Sequence, residues 1–366
     1  MIKKIYLVII IVFGILSVGA ILFTDKYLTN DCANKQIIND DDSGIIEITE
    51  EHTKKAQEET SSQSATIVIL NTNTNTISAS FTKYSEETVL KKCAGNLDEI
   101  SQTTDLWEPG SVIKPLVAQV GIDQGVIKMD DLYYLENFRK IDSTNILNST
   151  VFKNRPYTYE EVITNSINTG AVHILERIGN GNLEDSRKIW HDYLTGVYEL
   201  GKTTGYPIEN EQLGFVPSPN GIINNNLRYA QTSFGIGLTV TPSQLVKAYC
   251  IALTGRCSTN HKKDLSDESK VELYKILNKS AQNKNSIVLP NNYSVGGKTG
   301  TSSMVDTYGR YTTKDIGSYI GFVKKNHNVY IILVKLVDPQ VGDSASYEAS
   351  NVWNELVHNL INHQLI

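Results

Sequence analysis

The stretch DLWEPGSVIKPL, residues 105–116, sets a serine directly behind Pro109-Gly110 and a lysine one helical turn later. The Pro-Gly pair turns the chain, and Pro115 fits the first turn of a helix without breaking it. The spacing predicts a helix that begins near Ser111. Lys114 then shares a face with the serine, because positions three apart lie one above the other. A hydroxyl at a helix start stands at the positive end of the dipole. It becomes a nucleophile only when a base takes its proton. Lysine is that base only when neutral, a form favoured by burial and by a second cation nearby. A Ser-x-x-Lys pair arises by chance about once or twice in a chain of this size, so other residues must supply the remaining chemistry.

Two further segments offer it. TNSINTGAVHILERIG holds Ser166-Ile167-Asn168 just before a helix with apolar positions at Val172, Leu175 and Ile178. Alone, this is an N-cap and turn. VGGKTGTSS puts Lys298-Thr299-Gly300-Thr301 on a strand, where glycines mark close approach of a ligand or another backbone. The spacing G-x-x-x-x-G-K is missing, which argues against a phosphate loop. S-x-x-K, S-x-N and K-T-G, in that order and at a helix start, a loop and a strand, resemble the active-site set of penicillin-binding proteins and serine β-lactamases. DLWEPGSVIKPL, AQTSFGIGLTVTPSQL and GGKTGTSSMVD look like the transpeptidase domain of class B penicillin-binding proteins, over residues 65 to about 361.

The resemblance implies a D,D-transpeptidase that cross-links peptidoglycan stem peptides ending in D-Ala-D-Ala. Ser111 would attack the penultimate D-Ala carbonyl and release the terminal D-Ala. Lys114 would be the base, and Ser166 would relay protons to the leaving amine. Asn168 would hold Lys114 and the substrate amide. Lys298 would attract the terminal carboxylate and help keep Lys114 neutral. Thr299 and Thr301 would bind that carboxylate beside Gly300, and the backbone N–H groups of Ser111 and Thr301 would form the oxyanion hole. β-Lactams would acylate Ser111. No cofactor or metal is implied. A SEDS-family glycosyltransferase and membrane proteins of a division or elongation complex would be partners. The rivals are a serine β-lactamase or β-lactam sensor, which shares the first and third motifs, and a catalytically silent division-complex scaffold.

The elements that must position these groups are legible in outline. ATIVIL and ISASFT flank the turn NTNTNT near the start of the folded part, while YSVGGKTGTSS, DIGSYIGFV and NVYIILVKLV read as three strands near its end. Asparagine tolerates the left-handed backbone that such a turn needs. A final helix follows, with Val352, Leu356 and Leu360 at helical spacing. TVTPSQLVKAYCIAL announces another, with Thr241 as N-cap, Pro242 at the first position and Gln244 completing a capping box. The expected architecture is α/β (α+β): a five-stranded antiparallel sheet from both chain ends, flanked by helices, with a mostly helical insertion at about 111–285. A cleft lies between sheet edge and insertion.

Before residue 65 the chain differs. Residues 1–4 form a short tail, and 5–23 an uncharged apolar run of about the ~20 residues that span a bilayer. Lys3 and Lys4 before it and Asp25 after it favour a cytoplasmic N-terminus. Val18-Gly19-Ala20 also fits a cleavable leader, but the run exceeds a leader's usual apolar core. The expectation is a single-pass anchor in the cell (inner) membrane with the folded part, 65–366, outside. Residues 24–64 are polar and patternless and read as a tether with some helix in it. Class B proteins usually carry a pedestal domain there. The net charge of −6, with no long basic block, argues against nucleic acid. Four cysteines form no C-x-x-C and seven histidines no H-x-x-x-H, so metal chemistry has no support. Cys250 reads as a core residue, and disulfide pairing stays open.

Overall fold

A computed structural model describes residues 37–38, 42–93, 106–208, 211–221, 225–259, 264–282, 289–306 and 308–366. Strands β2 (Ser64–Asn71) and β3 (Thr76–Tyr84) form a hairpin, and Asn75 in its turn takes φ +55°. Far along the chain, β8 (Tyr293–Val305), β9 (Tyr311–Lys325) and β10 (Asn328–Val337) run as a meander. β10 pairs antiparallel with β2, Val337 against Ser64 and Tyr330 against Asn71. This joins the two sets in the order β1-β3-β2-β10-β9-β8. The sheet therefore has six strands rather than five, because the two-residue β1 (Ile37–Ile38) adds to the β3 edge.

Alternation along the central strands buries both faces. Val68, Leu70, Leu333 and Ile320 face the middle of the chain, and Ile67, Ile69, Val334 and Tyr319 face the opposite layer. That outer layer is α10 (Ala345–Asn362), whose Trp353, Leu356, Val357 and Leu360 are buried, together with α1 (Ser43–Thr60).

Of the tether expected over 24–64, which allowed some helix, residues 24–36 and 39–41 lie outside the described residues. Residues 43–60 form helix α1, and this helix packs on the sheet. Its inward face is largely polar: Thr49, His52, Thr53, Gln57 and Thr60 are buried beside Ile45 and Ala56. The threonine hydroxyls fold back onto their own helix, Thr49 to the Ile45 carbonyl and Thr53 to the Thr49 carbonyl, both at 2.6 Å. Gln57 Nε2 donates to the Ser62 carbonyl at 2.9 Å, and Asn359 Nδ2 stands 2.8 Å from His52 Nε2. With its hydrogen bonds met locally, a polar face packs where an apolar stripe would be expected. The tail 1–4 and the apolar run 5–23 lie outside the described residues. Among the described residues no helix is long and apolar enough to cross a membrane.

Between β3 and β8 the chain builds the other layer. After α2 (Glu86–Cys93), a 3₁₀ turn at Gly110–Ile113 leads into α3 (Lys114–Asp123). Short strands β4 (Leu132–Tyr134) and β7 (Pro156–Thr158) pair, as do β5 (Phe138–Ile141) and β6 (Thr144–Leu147). Helices α4 (Tyr159–Thr164), α5 (Asn168–Ile178), α6 (Leu183–Asp192), α7 (Asn225–Thr232), α8 (Pro242–Thr254) and α9 (Asp267–Gln282) complete it. The Thr241–Gln244 capping box and Pro242 at the start of α8 are both present. Cys250 is buried in this helix and pairs with Cys257, the Cα atoms 5.8 Å apart. Cys32 lies outside the described residues.

Candidate active site

Ser111 sits in the 3₁₀ turn, half-buried, and Lys114 opens α3, fully buried. Lys114 Nζ stands 2.8 Å from Ser111 Oγ. It also reaches Asn168 Oδ1 at 2.7 Å, the Ser166 carbonyl at 2.5 Å and Ser166 Oγ at 3.2 Å. Lys298, on β8 and buried, approaches Ser166 from the other side, its Nζ 3.0 Å from Ser166 Oγ. That amine also meets the Thr299 carbonyl at 3.0 Å and Thr299 Oγ1 at 3.4 Å. The three motifs thus form one chain of contacts: Ser111 hydroxyl, Lys114 amine, Ser166 hydroxyl, Lys298 amine. Thr299 is buried beside it, and Thr301 is exposed two residues on.

Local structure explains how each group is held. Gly110 has φ +63°, a region open to glycine, and a Cβ there would lie 2.4 Å from the Thr301 carbonyl oxygen. Gly300 is equally pressed: a Cβ would lie 2.6 Å from the Pro109 carbonyl oxygen. Two glycines therefore let β8 lie directly on the turn that carries Ser111. Ser166 itself takes φ +60°, uncommon for serine, and its backbone is fixed by N–H bonds from Ser166 to the Ile163 carbonyl and from Ile167 to the Val162 carbonyl. Asn168 starts α5, and its Nδ2 donates to the Leu147 carbonyl at 2.9 Å.

Other positions that serve the site carried no chemical signature in the sequence. Trp107 exchanges both backbone bonds with Val240, and Gly110 N–H donates to the Gly235 carbonyl at 3.0 Å. Between them, the Glu108 carboxylate accepts from Gly237 N–H at 2.7 Å and from Tyr311 Oη at 3.0 and 3.1 Å. Burial pushes the Glu108 carboxyl above its ordinary value, against the opposing effect of those two donors. Glu108 thereby ties the EPGS and SFGIG segments, singled out only as family marks, to the first residue of β9. Tyr249 on α8 donates to the Val112 carbonyl at 2.6 Å, bracing the 3₁₀ turn from behind. Leu147 takes part through its carbonyl, which no side-chain motif reveals.

This arrangement can do nucleophilic acyl chemistry. A neutral amine has two N–H groups and one lone pair. With the N–H groups on the Ser166 carbonyl and Asn168 Oδ1, the lone pair of Lys114 is left to the Ser111 hydroxyl. No group of three or more His, Cys, Asp or Glu side chains suited to a metal ion occurs among the described residues.

Comparison with known proteins points the same way. The chain is 28% identical over 306 residues to the peptidoglycan D,D-transpeptidase FtsI homolog of Mesostigma viride, covering 70% of this chain and 49% of that protein. It is 26% identical to peptidoglycan D,D-transpeptidase FtsI of Escherichia coli K12, covering 65% and 41%. To stage V sporulation protein D of Bacillus subtilis it is 25% identical, covering 64% and 38%. The chain therefore spans about half the length of the first of these relatives and less of the other two. Among solved structures, the transpeptidase domain of penicillin-binding protein 3 from Burkholderia pseudomallei superposes with a TM-score of 0.69 at 20% identity, covering 88% of this chain and 95% of that one. Penicillin-binding protein 2X from Streptococcus thermophilus gives 0.70 at 20% identity, covering 87% and 51%. These two likenesses speak for the fold alone. The family model for the penicillin-binding protein transpeptidase domain matches residues 65–362, from β2 through the end of α10 and across all three motifs. By that match this chain belongs to the penicillin-binding protein transpeptidase family.

Proposed function

We propose that the chain is a serine D,D-transpeptidase that cross-links peptidoglycan stem peptides. The observation that carries this reading is the Lys114 amine, seated 2.8 Å from the Ser111 hydroxyl and linked through Ser166 to Lys298. Ser111 Oγ adds to the carbonyl of the penultimate D-Ala, and its proton passes to Lys114 Nζ. Burial and a second amine beyond the shared Ser166 hydroxyl both act against the ammonium form of Lys114, the form that cannot accept that proton. The C–N bond then breaks, and the proton moves from Lys114 through Ser166 Oγ to the leaving nitrogen of D-Ala. The ester on Ser111 is finally attacked by an amine of a neighbouring stem peptide, which restores the hydroxyl.

The developing oxyanion is bound by the N–H groups of Ser111 and Thr301. The close approach of Gly110 to Thr301 supports that pairing. A donor of this kind is worth ~3 kcal/mol of barrier. Lys298 draws in the terminal carboxylate, which Thr299 and Thr301 bind. Asn168 gives one N–H of its amide to Leu147 and keeps the second for the substrate backbone. β-Lactams enter the same path and acylate Ser111.

The apolar run 5–23 is the membrane anchor in this reading, with the domain outside the cytoplasm and a SEDS-type polymerase and the division or elongation machinery as partners. The Cys250–Cys257 disulfide supports an oxidising compartment. The test is mass spectrometry of the full chain after exposure to benzylpenicillin. A long-lived adduct on the peptide containing Ser111, absent in Ser111→Ala, is the expected result. Rapid loss of the adduct would make the protein a β-lactamase, and no adduct would overturn the nucleophile assignment.

A further inference from the structure

The β5–β6 hairpin is fastened beside the S-x-N motif at three points. Arg139 on β5 pairs with Glu176 on α5, with Nε 2.8 Å from Oε1 and a second bond from Nη2 to Oε2. Asn148, just past β6, accepts from the Thr169 N–H at 2.9 Å and donates to Thr169 Oγ1 at 3.2 Å. The third point is the bond from Asn168 to the Leu147 carbonyl. This hairpin is therefore a fixed wall continuous with the site, not a loose loop.

Its two faces differ. Ile141 and Ile146 point inward, 4% and 6% exposed, on the same side as Arg139. The outward face holds two cross-strand pairs, Phe138 with Leu147 and Lys140 with Asn145, all exposed. Phe138 is 52% exposed and Leu147 62%. Single exposed apolar residues need no explanation, but here an aromatic–aliphatic pair includes Leu147, whose carbonyl holds Asn168, and such a pair beside polar groups is the usual makeup of a ligand wall.

We infer that this outward face is the subsite for the third residue of the donor stem peptide, and that it selects a side chain with an aliphatic stem and a carboxylate at its end. The inference rests on the function proposed above. In that reading the terminal carboxylate lies at Thr299 and Thr301, and the amide before the penultimate D-Ala lies at Asn168. The preceding residue then emerges over Leu147. Its methylenes meet Phe138 and Leu147. Lys140 and Asn145 stand two strand positions further on, about 7 Å away, which is the reach of a side chain of four or five carbons. An ammonium end would meet the Lys140 cation with like charge, whereas a carboxylate would pair with it and with the Asn145 amide.

The experiment measures D-Ala release by the full chain from N-acetylated X-D-Ala-D-Ala peptides, with X glycine, norleucine, 2-aminoadipate or lysine. Each rate is divided by that of the glycine peptide, so a change in the catalytic groups cancels. Norleucine should exceed glycine, and 2-aminoadipate should exceed lysine about two- to fivefold, the scale of an exposed ion pair. Lys140→Glu should reverse the order of the two charged peptides, and Leu147→Ala should erase the advantage of norleucine. Equal ratios across the four peptides, or an order unmoved by Lys140→Glu, would overturn the subsite and leave the outward face to another protein. Release from no peptide, with no penicillin adduct on Ser111, would instead bring down the proposed activity and this inference with it.

Discussion

Lys114 has four oxygen atoms within 3.2 Å of one nitrogen, more than its protons can serve at once. Such crowding suits a group that changes protonation state during a reaction. Lys114→Arg is the sharpest test, because arginine keeps the charge and the donors but does not deprotonate. Penicillin acylation should fall by about 10²–10⁴, the range for loss of a general base. Stopped-flow measurement of adduct formation checks it, and a rate within threefold of wild type would remove Lys114 from the base role. The side-chain participants at this scale were readable as types and spacings, because Ser-x-x-Lys and Ser-x-Asn place their groups through local helix and turn geometry. The Leu147 carbonyl was not, since every residue has one and only the fold selects which is used.

Glu108 acts between elements. One carboxylate joins the segment before Ser111, the loop at Gly237 and the start of β9, so it sets how β8 and β9 lie against the nucleophile turn. Removing it takes the acceptor from a part-buried backbone N–H, a loss of ~1 kcal/mol. Glu108→Ala should therefore slow acylation several-fold while leaving the affinity for the penicillin nearly unchanged. Glu108→Gln should recover most of the rate, because the amide oxygen still accepts from Gly237. Saturation kinetics of acylation separates the two constants. Loss of melting temperature in Glu108→Ala without a change of rate would reduce Glu108 to a structural strut. The strands of the sheet were legible from their β-branched runs. Helix α1 was not, because its buried face is Thr49, His52, Thr53 and Gln57, residues that betray no apolar period.

Across the whole molecule, the outer layer holds α1 against α10 and so ties the beginning of the described fold to its end. His52 lies in that seam, and burial holds its pKa below the ordinary value; Glu355, Glu51 and Glu59 oppose this and Lys55 adds to it. A lowered pKa in the folded state means that the unfolded chain takes up the proton first. The contribution of His52 is complete above about pH 6.5 and is lost as pH falls toward the lower folded value. Hydrogen exchange over residues 43–60, corrected for its intrinsic rate, should quicken from pH 7.5 to 5.5 in the wild type. His52→Gln should flatten that response, and an identical pH response in the variant would exclude His52 as the cause. The sheet's closure from both chain ends was visible in the strand pattern. The Cys250–Cys257 pairing was not, since four cysteines alone leave the partners open.

That closure has a consequence for biosynthesis. Asn71 on β2 must wait for Tyr330 on β10, 259 residues later. At cellular elongation rates the ribosome needs roughly 10–50 s to deliver that stretch. Throughout this interval Ile67–Leu70 would present an unpaired apolar edge to every neighbouring nascent chain. Helix α1 emerges before β2 and packs on one face of the β2–β3 hairpin, so it can cover that side of the hairpin while the other partner strand is still being made.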